Sequence, residues 1–157
     1  MEILHLIHEN LIFPNLQIGN KDDLFKILYE QLHQKGYVKE SYFNGITERE
    51  KCFPTGLQLQ TYGCALPHTD LEHVKKPAIC VATLKDPIVF RSMENQQKEV
   101  NVSLVFMLAL NKSEYQIAAL KQLAMMIQDS NFLEEIVKAK ESGEILNIIK
   151  SYSHIAV

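Results

Sequence analysis

The sequence lacks the features of several common protein classes. Its 16 Lys and Arg against 19 Asp and Glu give a net charge of −3, so no positive surface indicates nucleic acid as a partner. Its three cysteines are odd in number and form no CxxC pair, which is typical of reduced thiols rather than of a disulfide framework. The longest nearly apolar run, residues 102–110, is far shorter than the ~20 residues that a membrane-spanning helix needs. We therefore expect a soluble, cytoplasmic protein without direct membrane insertion.

The chain has the size and composition of one globular unit. Its 157 residues are 46% hydrophobic and 22% charged, which is ordinary for a soluble domain of this length. The sequence contains no internal repeat, low-complexity segment or linker that would divide it. We expect a single domain over residues 1–157.

Helical patterns lie at both ends of the chain. Asn20 is a good N-cap for a first helix, and Gly36 is a suitable residue just after its end. A second helix is predicted over about residues 39–51. Near the C-terminus, Ser113-Glu114-Tyr115-Gln116 has the form of a capping box and predicts a helix through Gln128. Two further helices follow, and the last ends near Tyr152.

Short apolar runs occupy the middle of the chain. Residues 78–84 and 100–110 are almost continuously apolar, as strands covered on both faces are. Residues 86–90 resemble another strand, separated from the first by a break at Pro87. Near the N-terminus, a strand around residues 11–13 is expected to end at Pro14. This order of elements predicts an α/β sandwich.

A histidine in a constrained segment is the strongest candidate for chemistry. Pro67 limits the backbone before His68, and Thr69 and Asp70 follow with groups that can bond the backbone or orient the ring. An imidazole near its ordinary pKa of ~6.5 is largely neutral in the cell, so one ring nitrogen keeps a lone pair that can attack phosphorus. Arg49, with its planar set of donors, is the best candidate to stabilise phosphoryl charge.

These residues also allow interpretations other than phosphoryl transfer. From Pro67 and Arg49 alone, a structural role for His68 is about as good an interpretation as a functional one. A metal site of Cys64, His68 and His73 matches no standard zinc spacing and has no evident fourth ligand, so no metal or cofactor is expected. A hydrolase triad of Cys64, His68 and Asp70 is disfavoured because an extended segment spreads them over about 20 Å.

A resemblance to a known family decides between these interpretations. The motifs that carry it are Arg49-Glu50-Lys51, Phe53-Pro54-Thr55-Gly56-Leu57 and Ala65-Leu66-Pro67-His68. They resemble the phosphorylation-site region of the fructose/mannitol-type (type 2) EIIA domains of the bacterial sugar phosphotransferase system, and the resemblance extends over nearly the whole chain. The Phe-Pro-Thr-Gly turn is similar to that of the galactitol-specific branch.

The resemblance implies a fold and a set of roles. The fold is a mixed β-sheet flanked by helices on both faces. His68 matches the phosphorylated histidine and Arg49 the arginine near the phosphoryl group, while Thr55 and Thr69 are possible additional hydrogen-bond donors. Gln116 stands where many members carry a second histidine; it is a further possible donor that cannot supply charge, and the galactitol branch shares it.

The implied function is a phosphocarrier in sugar uptake. Phosphorylated HPr would donate to His68, a cysteine of an EIIB component would accept, and a membrane EIIC component would couple transfer to uptake of a sugar alcohol, galactitol. The alternative is a regulatory module of the same fold, in which phosphorylation of His68 switches binding to a regulator or transporter. Both functions need the same histidine, so the residues do not separate them.

Overall fold

A five-stranded mixed sheet separates two apolar layers in the computed structural model, which describes residues 3–153. The strands, named in chain order, are β1 (Ile7–Leu16), β2 (Gly56–Gln58), β3 (Gly63–Ala65), β4 (Ala78–Arg91) and β5 (Glu99–Ala109). Their order across the sheet is β1-β4-β5-β3-β2. β1 is parallel to β4 and β3 is parallel to β5, whereas β4–β5 and β2–β3 are antiparallel pairs.

Helices cover both faces of this sheet. The helices are α1 (Lys21–Gln34), α2 (Tyr42–Cys52), α3 (Ser113–Met126), α4 (Ser130–Lys138) and α5 (Ser142–Tyr152). Successive residues of β4 point to opposite faces, so Cys80 and Ala82 pack with α1 and α2, whereas Ile79 and Val81 pack with the three C-terminal helices. The fold predicted from the resemblance is confirmed. No helix within residues 3–153 is both long and apolar enough to cross a bilayer.

The first helix has the ends that its sequence predicts. The Asn20 side-chain oxygen accepts a hydrogen bond from the Asp23 backbone N–H at 2.9 Å, which caps α1. Gly36 has φ of +81°, a conformation that costs little only for glycine. The outer ends of the predicted domain, residues 1–2 and 154–157, lie outside the described part of the chain.

Two prolines do not end their strands, contrary to expectation. β4 is continuous through Pro87, because its pairing with β5 changes register between Thr83 and Ile88 and so absorbs a residue that cannot donate a hydrogen bond. β1 likewise continues past Pro14. Its next residue, Asn15, has φ of 55° and donates its N–H to the Thr83 hydroxyl at 2.7 Å.

The expected capping box at the start of α3 is also wrong. The helix begins at Ser113, its N-cap is Lys112, and no side chain caps it. α3 ends at Met126 rather than at Gln128. Ile117, which helical spacing places on the buried side, is 68% exposed. The apolar residues of α3 therefore cover more of the helix surface than the part that packs against the core.

Candidate functional site

The segment that carries His68 is bonded to the centre of the sheet. β3 is paired with β5 up to Ala65, and beyond it the Leu108 N–H of β5 donates to the Pro67 carbonyl oxygen at 2.9 Å. The Leu108 carbonyl in turn accepts the buried Tyr42 hydroxyl of α2 at 2.9 Å. One residue of β5 therefore holds both the segment before His68 and the helix that carries Arg49.

The ring of His68 is held in one tautomer by its own backbone. Its Nδ1 lies 2.8 Å from the Leu66 carbonyl oxygen, and a carbonyl oxygen can only accept. Burial lowers the pKa of half-buried His68, as does the positive charge of Arg49, while the bond to Leu66 opposes them. The ring is therefore neutral at neutral pH, with the proton on Nδ1 and the lone pair on Nε2.

Arg49 lies in the last turn of α2 and contacts two neighbours. Its Nη1 is 3.6 Å from Asp70 Oδ1, and its Cζ is 5.1 Å from the centre of the Phe53 ring. An open cavity of about 320 Å³ lies beside it and is lined also by Thr69 and His73. The Arg49 side chain is 35% exposed, so it can reach a negatively charged group brought to the surface.

The two threonines predicted as donors are both buried. The Thr55 hydroxyl donates to Glu50 Oε1 at 2.9 Å, so its proton is directed at a carboxylate. Thr69 lies against α2 at Gly45, where an added Cβ would be 3.0 Å from the Thr69 hydroxyl oxygen. The structure brings Thr69 to the cavity beside Arg49 and directs Thr55 into the protein.

Gln116 lies apart from these contacts. It is half-buried on α3, and its backbone N–H donates to Lys112. Within residues 3–153 no hydrogen bond joins its side chain to His68 or Arg49. The structure therefore brings His68, Arg49 and Thr69 near one another. Asp70, whose contact with Arg49 was not predicted, lies beside them.

Glu50 is a buried carboxyl group that sequence reasoning missed. It is 3% exposed, and its two oxygens accept from the Thr55 N–H at 2.7 Å and from the Thr55 hydroxyl. Burial raises its pKa to about 7, although these hydrogen bonds and the charge of Lys21 act against the rise. The sequence did indicate this burial, because Glu50 follows Tyr42 and Ile46 at four-residue spacing on the buried face of α2.

The residues of the rejected metal and hydrolase interpretations have other environments. Cys64 is fully buried, and burial raises the pKa of its thiol well above the ordinary value. His73 Nδ1 lies 2.8 Å from the Ser41 hydroxyl. The ligand atoms of Asp70, Glu72 and His73 lie within 4.8 Å of one another, but both carboxylates are exposed, as unliganded surface acids commonly are.

An apolar groove of about 430 Å³ begins at the residue that orients His68. Its apolar lining includes Leu57, Leu59 and Leu66 from the sheet side, Met93 from the β4–β5 loop, and Leu120 and Ile127 from the α3 side. We call this set the apolar groove.

A family comparison identifies what this arrangement belongs to. Residues 5–152 match the family described as "Phosphoenolpyruvate-dependent sugar phosphotransferase system, EIIA 2". The chain belongs to this family. EIIA domains of this kind are phosphotransferase components that relay phosphoryl groups, so the chain is a phosphotransfer domain of that system.

Individual relatives of this EIIA domain differ in the proteins that contain them. The chain is 24% identical over 123 residues to the PTS system galactitol-specific EIIA component of Escherichia coli K12, covering 78% of this chain and 81% of that protein. It is 27% identical over 147 residues to the transcriptional regulator ManR of Bacillus subtilis, covering 92% of this chain but only 20% of the regulator.

A solved structure has the same fold. It is the complex of enzyme IIAMTL with phosphorylated enzyme IIBMTL from Escherichia coli, with a TM-score of 0.75 and 24% identity. The match covers 93% of this chain and 99% of that one. The arrangement of sheet and helices is therefore that of known EIIA domains.

Proposed function

We propose that His68 is the phosphoryl carrier of this EIIA domain, accepting from phosphorylated HPr and passing the group to a cysteine of an EIIB component. The observation that carries the proposal is the Nδ1 contact with the Leu66 carbonyl oxygen, which leaves Nε2 as the free nucleophile. The burial and positive charge that lower the pKa of His68 add support, because they keep that lone pair available.

The two transfers conserve atoms and charge. The Nε2 lone pair attacks phosphorus while the nitrogen–phosphorus bond of the donor's phosphohistidine breaks, and the donor nitrogen takes back its electron pair. In the second step the cysteine thiolate of the acceptor attacks and the bond to Nε2 breaks. Throughout, the Nδ1–H bond to Leu66 stabilises the positive charge that the ring carries when Nε2 is bonded to phosphorus.

Arg49 stabilises the transferred group in this proposal. Its contact with exposed Asp70 is 3.6 Å long, and an exposed ion pair of this kind is worth no more than about 1 kcal/mol. A phosphoryl group carries up to two negative charges and three acceptor oxygens, so it competes well for the guanidinium. Asp70 then serves as a temporary partner for Arg49 in the unphosphorylated protein.

In this proposal the EIIB component docks on the apolar groove and on exposed Ile117. Leu66 both lines the groove and accepts the bond from His68, so a protein seated there lies beside the reactive nitrogen. The complex of enzyme IIAMTL with phosphorylated enzyme IIBMTL supports this choice of partner. Cytoplasmic location and coupling to a membrane EIIC component are parts of the same proposal.

Galactitol, a sugar alcohol, is the proposed transported sugar of the system. The support is the relative named galactitol-specific and the Phe-Pro-Thr-Gly turn, which resembles that of the galactitol-specific branch. The sugar does not touch an EIIA domain, so the choice of sugar acts only through the choice of EIIB. Transfer to purified EIIB components of different sugar systems tests it, and transfer to a galactitol EIIB should be the fastest.

Intact-mass measurement tests the phosphoryl carrier directly. The parent protein is incubated with Enzyme I, HPr and phosphoenolpyruvate, beside His68→Ala and Arg49→Gln variants. We expect one acid-labile phosphoryl group on the parent, none on His68→Ala and slower gain on Arg49→Gln. Equal labelling of the parent and His68→Ala would show that His68 is not the carrier.

A second candidate function is regulation by the phosphorylation state of His68. The similarity to a segment of the transcriptional regulator ManR over 92% of this chain favours it. In that case the phosphorylated domain would change its affinity for a regulator or transporter without passing the group on. Loss of the phosphoryl group to an EIIB cysteine supports transport, and its retention with every EIIB tested supports regulation.

A further inference from the structure

Adjacent residues at the end of α2 have opposite environments. Arg49 is partly exposed and faces Asp70, whereas Glu50 is 3% exposed and accepts two hydrogen bonds from Thr55. Both oxygens of the carboxyl are engaged, at 2.7 and 2.9 Å. The side chain thus closes the short connection that leads from α2 to β2.

That connection joins the two halves of the proposed site. Thr55 is followed by Gly56, the first residue of β2, which pairs with Ala65 at the end of β3. Ala65 is three residues before His68. Gly56 lies close against the end of β4, where an added Cβ would be 2.5 Å from the Arg91 carbonyl oxygen, and its own carbonyl oxygen accepts the Met93 N–H at 2.8 Å. The Glu50–Thr55 contact is therefore one side-chain bond between the end of the helix that carries Arg49 and the start of the strand pair that leads to His68.

A carboxyl group is a costly choice at this position. It is removed from water, lies near the negative end of the α2 dipole, and has no Lys, Arg or His partner within 4.0 Å among residues 3–153. Phe53, within the same connection, places its ring against the Arg49 guanidinium. The bonded connection thus also carries the Phe53 ring that lies beside Arg49.

We propose that Glu50 is a positioning residue for phosphoryl transfer: through Thr55 it holds the end of α2 against the start of β2 and keeps Arg49 within reach of His68. The inference rests on the proposed function of His68 and Arg49. It also gives Thr55 a role different from that of a donor to the phosphoryl group. Glu50 acts through Arg49 and does not touch the reacting atoms.

Thr55→Val is the decisive variant because it removes one hydrogen bond without changing charge or size. We expect kcat for transfer from phosphorylated HPr to fall roughly tenfold, since small displacements of a charge-stabilising group are costly, while KM stays within twofold because the docking surface is untouched. Thr55→Ser, which keeps the hydroxyl, should retain most of the rate. Thr47→Val is the matched control, because its hydroxyl donates to the Phe43 carbonyl oxygen within α2.

Coupling to Arg49 separates positioning from general weakening. In an Arg49→Gln background, Thr55→Val should lower kcat no further, because the group being positioned is absent. An undiminished tenfold loss in that background would overturn the inference. Thermal unfolding of each variant sets an assay temperature at which all of them are folded.

A measurement without phosphoryl transfer keeps this test independent of the proposed function. NMR titration of His68 in the unphosphorylated protein reports the charge of Arg49, which helps to lower the pKa of the ring. We expect that pKa to rise in Thr55→Val and in Arg49→Gln, and to stay at the parent value in Thr47→Val. A rise in Arg49→Gln without one in Thr55→Val would overturn the positioning role, whatever the protein's partners prove to be.

Discussion

Replacing Glu50 by Gln is expected to change how the free energy of unfolding depends on pH. Burial raises the pKa of Glu50 from 4.5 to about 7 in the folded protein. The folded state therefore holds this proton more tightly than the unfolded state does, and the associated stability is complete below pH 4.5 and is lost as pH rises through about 7. The shift corresponds to about 3 kcal/mol.

Urea unfolding of the parent and Glu50→Gln at closely spaced pH values measures this term. Gln keeps the shape and does not titrate. Its amide oxygen can accept the Thr55 N–H and its amide nitrogen can donate to the Thr55 hydroxyl, so subtracting the two free energies leaves the titration of Glu50. We expect the parent to lose about 3 kcal/mol relative to the variant between pH 4.5 and about 8. The midpoint of that loss lies between the unfolded and folded pKa values.

A free-energy difference that stays constant over this range would refute the reasoning. It would mean that the carboxyl ionises as easily in the folded protein as in the unfolded chain, and that the two bonds from Thr55 offset its burial completely. A difference that changes in the opposite direction would mean that these bonds outweigh burial.

Four further substitutions have expected outcomes that follow from the local environment of each residue. Tyr42→Phe leaves the buried Leu108 carbonyl without its side-chain donor and should lower the free energy of unfolding by about 1–3 kcal/mol, measured by urea unfolding. Gly63→Ala should cost at least about 2 kcal/mol, because its Cβ would lie 2.2 Å from a backbone oxygen of β5, whereas Gly19→Ala, with nothing within 4 Å, should stay within about 1 kcal/mol. Ile117→Ser should leave stability within about 0.5 kcal/mol but raise KM for the protein partner severalfold.

Each of these outcomes can be contradicted. An unchanged stability of Tyr42→Phe would mean that the Leu108 carbonyl finds another donor. Equal losses for Gly63→Ala and Gly19→Ala would mean that β3 and β5 can separate at little cost. An unchanged KM for Ile117→Ser would remove that side chain from the docking surface.

The sequence predicted those parts of the fold that depend on local chemistry. The ends of α1 follow from Asn20 and Gly36, which satisfy or release backbone groups within a few residues of themselves. The sandwich order followed from the apolar runs. Arg49 and His68 were found through a motif, and the structure adds the electrostatic influence of one on the other.

Features that depend on distant partners could not be predicted in the same way. From the sequence around it, Pro87 predicts a strand break, but a change of register in the pairing of β4 with β5 accommodates it. Ile117 has the spacing of a buried residue, and only the packing of α3 shows that the core ends before it. From the sequence, the hydroxyl of Thr55 was a possible donor to a phosphoryl group, and its direction depends on a carboxyl group whose burial is a tertiary property.

The bond that orients His68 has a consequence for how this domain can evolve. The acceptor is the main-chain oxygen of Leu66, which every amino acid at position 66 would supply. In histidine sites where a carboxylate side chain sets the tautomer, one nucleotide change can remove the acceptor. Here no substitution outside position 68 deletes that atom, so surrounding side chains can diverge to suit new partners while the reactive nitrogen stays the same.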